Sequence, residues 1–220
     1  IGFCIFKLYP FVSSLIYSFT DYDLFKGVQN VVGFQNYIDA FTKPKNIKAL
    51  QVTFTYAFMT VPLKLIFALF IAYILNFRIK GVGLFRTAYY VPSILGGSVA
   101  IAVLWKALFK NDGVVNTILA MLGFESINFL ADKQWALFII CLLRVWQFGS
   151  AMVLFLAALK GVPEDLYEAA SIDGATRGRQ FMSITIPLIS PVIFYNLVTQ
   201  LVQAFQEFNG PYIITNGGPR

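Results

Sequence analysis

Apolar residues run along this chain in blocks of about 20 or more, the length a helix needs to cross the hydrocarbon of a bilayer. The blocks are Ile1–Phe19, Ala49–Leu75, Leu84–Phe109, Trp135–Leu159 and Ile186–Phe208. Backbone groups in hydrocarbon have no water to bond, so only helices or closed barrels can span it, and blocks of this length select helices. The first block is too long, and places Lys7 and Pro10 too awkwardly, for a cleaved signal peptide, so it is read as a truncated first span. The pattern predicts an all-α integral membrane protein: a polytopic helical bundle forming one transmembrane domain over residues 1–220.

Charge between the blocks orients them. Asn76–Arg86 carries Arg78, Lys80 and Arg86 and no acid, and dense positive charge in a short loop marks it cytoplasmic. Alternation then puts Thr20–Lys48 and Lys110–Gln134 outside, and Lys160–Thr185 inside with Lys160, Arg177 and Arg179. Lys43, Lys45 and Lys48 lie in an outer loop, so charge favours this orientation without forcing it.

Composition narrows the function. Of 220 residues, 58% are hydrophobic and 13% charged, against about 25% charged in an ordinary soluble domain. The formal charge of +6 is spread singly between apolar blocks, which fits headgroup contacts and gives no nucleic-acid patch. With no His, and with Cys4 and Cys141 inside apolar blocks, no metal site, disulfide framework or catalytic residue is expected. The chain opens at Ile1 and stops at Gly217-Gly218-Pro219-Arg220 after an apolar pattern, so it is expected to be cut at both ends. No internal repeat or low-complexity tract is present.

The inner loop, residues 160–185, is the most informative stretch. Pro163 suits a first helical position, and Glu164 and Asp165 suit the positive end of a helix dipole. Leu166, Ala169 and Ala170 share a face on which small residues admit another surface. Gly174 can take the left-handed conformation that ends the helix, and Thr176 can cap the next one. From the residues alone, this segment is either a docking helix or an amphipathic connector.

Here the sequence resembles the membrane-spanning permease subunits of binding-protein-dependent ABC importers, in the sugar-permease branch of maltose-transporter type. The signature of that family is Glu-Ala-Ala, three residues, Gly, nine residues, then Ile-x-Leu-Pro. Glu168-Ala169-Ala170, Gly174 and Ile184-Thr185-Ile186-Pro187 match it with one apolar exchange, Ile186 for Leu. Phe85-Arg86, Tyr90-Val91-Pro92, Leu104-Trp105-Lys106, Gly113, Asn116, Gly123 and Thr215-Asn216-Gly217-Gly218-Pro219 extend the resemblance over nearly the whole chain.

The resemblance implies a type I importer permease fold with five of six core spans present, multi-pass in a bacterial or archaeal cytoplasmic membrane. It implies a coupling role for Leu166, Tyr167, Glu168, Ala169, Ala170, Asp173 and Gly174, docked on a separate ATPase subunit. Glu168 is then a salt-bridge partner of that ATPase or a solvated helix charge. The other implied partners are a second, homologous permease subunit and an extracytoplasmic solute-binding protein. ATP and magnesium belong to the ATPase: this chain has no phosphate loop of its own and binds no cofactor directly. Alternating access driven by ATP closure is the implied mechanism.

The fifth span, the last one present, carries a second signal. Asn196, Thr199, Gln200, Gln203, Gln206 and Glu207 recur at steps of three and four, and lipid would not accept so many polar groups. They line a cavity for sugar hydroxyls, to which amides and a carboxylate are good partners, or they join helices as hydrogen-bonding glue. Lys64 and Arg144 lie near mid-span; an unpaired charge there costs at least about 2.5 kcal/mol, so both should face the bundle or water. Thr53, Tyr56, Thr60 and Lys64 share one face, Arg144 and Gln147 another. Snorkelling is the competing account of Lys64. Pro62, Pro92 and Pro191 are expected to kink their helices.

A sugar or oligosaccharide permease is therefore expected. Glycerol phosphate or another solute is the alternative substrate, an ATP-independent secondary transporter the alternative class, and a membrane-embedded enzyme the least supported.

Overall fold

The computed structural model describes residues 1–25, 27–28, 30–77 and 81–218. Arg78 and Lys80 of the inner loop and Pro219 of the closing motif lie outside them. Among the described residues the chain is helical, with only two isolated bridges, Thr20 to Val31 and Asp23 to Gly27. It divides into two compact units, Ile1–Phe54 and Thr55–Arg220.

The first unit holds a π-helix, Cys4–Leu8, continuing into α1 (Tyr9–Tyr17), then α2 (Gln35–Thr42) and the first turns of α3 (Pro44–Asn76). The π-turn ends two residues before Pro10, which has no N–H for an ordinary helical bond. The first helix ends at Tyr17, short of the Phe19 expected, because the hydroxyls of Ser18 and Thr20 donate to the carbonyls of Leu15 (2.6 Å) and Tyr17 (2.9 Å). The Asn36 amide then donates to the Ser18 and Thr20 carbonyls at 3.0 and 2.8 Å. On α2, Lys43 bonds Asp39 at 2.6 Å and lowers the carboxyl's pKa below its ordinary value.

The second unit carries the rest of α3, then α4 (Val82–Leu95), α5 (Val99–Phe109), α6 (Val114–Met121), α7 (Lys133–Trp146) and α8 (Gly149–Lys160). The helix of the Glu-Ala-Ala loop, α9 (Glu164–Ile172), and α10 (Arg177–Gln180) follow. A second π-helix (Phe181–Thr185), α11 (Ile186–Phe205) and α12 (Asn209–Thr215) complete the unit. Here too the π-turn stops two residues before a proline, Pro187.

Two continuous helices are long and apolar enough to cross a membrane, Pro44–Asn76 and Arg177–Phe205. The other two blocks of this unit differ from the straight spans expected. Leu84–Phe109 breaks at Gly96-Gly97-Ser98 and bends by 98°. Ser98 leaves the helix in an extended conformation, and its Oγ caps α5 by accepting from the Ile101 amide at 3.4 Å. Trp135–Leu159 breaks at Gln147-Phe148 and bends by 44°.

The last span starts at Arg177 instead of Ile186, so residues 177–185 belong to its helix and not to a free loop. Pro62, Pro92 and Pro191 stay inside α3, α4 and α11. The sharp breaks fall instead where glycine, or a side chain bonding to backbone, competes with the helical ladder.

The core gathers one stripe of α3 (Tyr56, Ala57, Val61, Leu65, Ala68, Ala72) against Cys141 of α7, Phe148 to Leu159 around α8, and Ile189 and Ala204 of α11. Ala57, Ala68, Ala72 and Ala151 have no exposed surface; such small residues let helices approach where lipid gives no hydrophobic drive. Gly149 is tighter still, since a Cβ there would run into the carbonyl oxygen of Tyr89 on α4. Beyond α5, buried Asn116 accepts from the Ile127 amide and donates to its carbonyl, both at 2.9 Å.

Candidate functional site

Three interruptions of helical backbone meet in one polar layer. Gln147, at the α7–α8 break, donates through Nε2 to the Gly96 carbonyl at the α4–α5 break, at 3.1 Å. Ser93 joins the same two elements, its Oγ donating to the Gln147 carbonyl and accepting from the Ser150 amide, each at 3.0 Å. Arg144 donates to Gln147 Oε1 at 2.8 Å and pairs with Glu207 Oε2 at 3.0 Å. Glu207, at the α11–α12 break, accepts through Oε1 from the Gly210 amide at 3.2 Å. One chain of hydrogen bonds therefore crosses the bundle from break to break.

A cavity of about 250 Å³ opens on this layer, walled by Gly96, Gly97, Arg144, Gln206, Glu207 and Asn209 among others. Unwound backbone at membrane depth is tolerated where it lines a cavity or is buried in protein, and the arrangement satisfies both conditions. The ion pair is mostly sheltered, with 18% of each side chain exposed. Arg144 therefore meets its charge partner inside the chain.

The polar stripe of the last span splits into two. Asn196 and Gln200 are buried, while Gln203 and Gln206 are exposed and Thr199 is half-buried. Gln200 Oε1 accepts from Lys64 Nζ at 2.7 Å, and Lys64 is 3% exposed, so it is sequestered and does not snorkel. Asn196 donates to the Val192 carbonyl at 3.1 Å, and its buried Oδ1 has no partner among the described residues. Thr60, one turn before Lys64, donates to Cys141 Sγ at 3.0 Å, and Tyr56 is buried one turn further back on the same helix.

Within this buried half, Gln200 joins α11 to α3, while Asn196 bonds back along its own helix. Thr199 bonds back to the Tyr195 carbonyl at 2.9 Å. Gln203, Gln206 and, through its ion pair, Glu207 form the open half.

The Glu-Ala-Ala helix α9 begins with Pro163 as its N-cap, one residue earlier in role than the first helical position expected. Gly174 takes φ +75°, and the amides of Gly174 and Ala175 donate to the carbonyls of Ser171 (3.1 Å) and Ala170 (2.8 Å), which closes a Schellman motif. Thr176 Oγ1 then caps α10 through the Arg179 amide at 3.5 Å.

Leu166, at 41% exposed, and Glu168, Ala169, Asp173 and Gly174 face solvent, and Ala170 is half-buried. Tyr167 turns inward to the core and hydrogen-bonds Thr185 at 2.7 Å, so it seats the helix. Ile172, 87% exposed, adds an outward apolar group that the family motif did not single out. Gly96, Gly97, Ser93 and Asn209 also escaped the sequence reading; a Gly-Gly pair inside an apolar block was the one signal available for them.

Residues 37–219 match the family described as binding-protein-dependent transport system inner membrane component. The chain belongs to that family. Over 219 residues it is 48% identical to a probable ABC transporter permease protein, YesP, of Bacillus subtilis (strain 168), covering 99% of this chain and 71% of the relative. It is 36% identical over 190 residues to the trehalose/maltose transport system permease protein MalF of Thermococcus litoralis, covering 86% of this chain and 64% of that one.

Among solved structures, a bacterial ABC transporter involved in import of the acidic polysaccharide alginate aligns with a TM-score of 0.78 at 25% identity. The alignment covers 97% of this chain and 76% of that one. The all-α permease fold and the inner-membrane setting follow.

Proposed function

We propose that this permease forms part of the translocation pathway of an ATP-driven importer for a sugar or oligosaccharide, in the cytoplasmic membrane. It would work with a separate ATPase pair, a second homologous permease and an extracytoplasmic solute-binding protein. The observation that carries the reading is the pairing of two devices in one chain. A polar cavity sits at converging helix breaks, and an outward-facing loop helix is fastened to the same last span through Tyr167 and Thr185. Movement of α9 is thereby transmitted to α11, whose far end carries Gln206 and Glu207.

Relatives named for trehalose/maltose, lactose and arabinooligosaccharides support a sugar; one named for sn-glycerol 3-phosphate favours the alternative. The cavity favours the sugar. A phosphate dianion calls for several free cations, whereas Arg144 is neutralised by Glu207 and Lys64 is buried on Gln200. Amide, carboxylate and backbone groups offer donors and acceptors to hydroxyls.

The test is binding-protein-stimulated ATP turnover and uptake by the reconstituted complex over a panel of sugars and glycerol phosphate. A sugar-loaded binding protein should raise turnover, and Gly174→Val should uncouple it. A β-branched residue at a left-handed position costs roughly 1–2 kcal/mol and unseats α9, while assembly persists. Uptake that proceeds without any ATPase would overturn the reading in favour of a secondary transporter.

Gln206→Leu and Gln200→Leu should separate pathway from scaffold. The first should impair uptake, with at least about a tenfold rise in apparent KM, equivalent to one lost hydrogen bond to sugar, and leave assembly intact. The second should lower the yield of assembled complex, because it strands buried Lys64.

A further inference from the structure

A second cavity, about 270 Å³, lies where the last turn of α3 meets α10 and the following π-turn. Tyr73, Asn76, Phe77, Arg177, Gln180 and Phe181 line it. Its hydrogen-bonding groups divide into used and open. Tyr167 and Thr185 on its wall bond one another at 2.7 Å. The Gln180 amide donates to Ser171 Oγ at 2.9 Å and to the Ala175 carbonyl at 3.1 Å. Tyr73, Asn76 and Arg177 make no side-chain hydrogen bond or ion pair among the described residues, and no Asp or Glu lines the cavity.

The open set is thus a guanidinium, a phenol and an amide, with net positive charge and no opposing carboxylate. Such a set suits a phosphate anion, which a guanidinium grips with two parallel hydrogen bonds. The volume is roughly that of nine liquid waters, ample for one phosphate ester.

Its level in the membrane supports the same ligand. α3 ends at Asn76, and the continuous apolar helix of the last span begins at Arg177, so both wall-forming helices terminate at this cavity. The cavity therefore sits at the boundary of the hydrocarbon. The aromatic rings beside it, Tyr73 with Phe77 (centroids 5.2 Å apart) and with Phe181 (4.9 Å), are the amphipathic and apolar groups found at headgroup depth. Basic pockets between helices on the cytoplasmic side are the sites where anionic headgroups lodge.

We infer that this cavity binds the phosphate of an anionic phospholipid from the cytoplasmic leaflet, held by Arg177 with Tyr73 and Asn76. Because Tyr167 of α9 and the π-turn form its wall, an occupied cavity steadies the seat of the coupling helix. The binding half requires only a chain embedded in a bilayer; the steadying half rests on the permease function proposed above.

The two halves are tested separately on the complete transporter. Lipid retained by the complex is counted by native mass spectrometry after reconstitution in phosphatidylcholine with or without phosphatidylglycerol. Wild type should keep phosphatidylglycerol in preference. Arg177→Gln should retain it roughly tenfold less, the loss of one bidentate charged contact, and Tyr73→Phe should show a smaller loss. Lys160→Gln, which removes a nearby charge outside the cavity, should retain it fully. Equal retention by wild type and Arg177→Gln, or equal loss in Arg177→Gln and Lys160→Gln, would overturn the site.

Phosphatidylglycerol should also raise binding-protein-stimulated turnover of wild type and not of Arg177→Gln. If Arg177→Gln loses lipid with turnover unchanged, the steadying role falls and the site stands. If inorganic phosphate reproduces the rise in neutral vesicles and Arg177→Gln abolishes it, the phosphate chemistry holds with a soluble source.

Discussion

Glu207→Ala should lower the melting temperature of the assembled permease sharply and abolish uptake. Arg144 and Glu207 meet at 3.0 Å with 18% of each side chain exposed, and removing one partner leaves the other charge sheltered and unpaired. Breaking a buried pair from one side costs roughly 3–5 kcal/mol. The double variant Arg144→Leu/Glu207→Leu removes both charges together and should recover most of the melting temperature, because well-packed apolar residues replace such pairs at little net cost. Uptake should stay lost, since the hydrogen-bond chain from Gln147 through Arg144 to the α12 amide at Gly210 is gone. Thermal unfolding followed alongside uptake separates the two effects; recovery of uptake in the double variant would show that the pair is only scaffold.

Gly149→Val should prevent assembly altogether. The α8 helix lies so close to α4 that a Cβ at Gly149 meets the Tyr89 carbonyl oxygen, and the Tyr90 Cα at 2.8 Å. Both are backbone atoms that no rotamer change can move, so α4 and α8 must separate along the contact that Ser93 also bridges. Overpacking of this kind costs typically about 1–3 kcal/mol or more, and here it also displaces Gln147 from Gly96. Gly97→Ala is the matched control. A Cβ at Gly97 has no neighbour within 4 Å, and this variant should elute from gel filtration as wild type does. Normal elution of Gly149→Val would mean that the α4–α8 packing is looser than its geometry.

Much of this was legible in the residue order. Apolar block length announces a helical membrane protein because hydrocarbon leaves the backbone no other partner, and Pro44–Asn76 and Arg177–Phe205 answer to two of those blocks. The Glu-Ala-Ala helix, its glycine terminator at φ +75° and the Thr176 cap are local devices, set by bonds a few residues apart, so spacing reveals them. Gly96-Gly97 and Gln147 are different. A glycine pair permits a break without requiring one, and Gln147 ends its helix because the Gly96 carbonyl, 51 positions away, stands within its reach.

The sequence by itself therefore determined the medium, the helical class, the family and the local caps of the Glu-Ala-Ala helix, because each depends on hydrophobicity or on bonds along the chain. The tertiary structure alone decided the rest. It divided the last span's polar stripe into Gln200, spent on Lys64, and Gln206, left facing a cavity. It paired Arg144 with Glu207 and turned Tyr167 inward from the motif that contains it. Periodicity says which residues share a face; which of them meets a partner depends on the helix packed against that face, and that helix is remote in sequence.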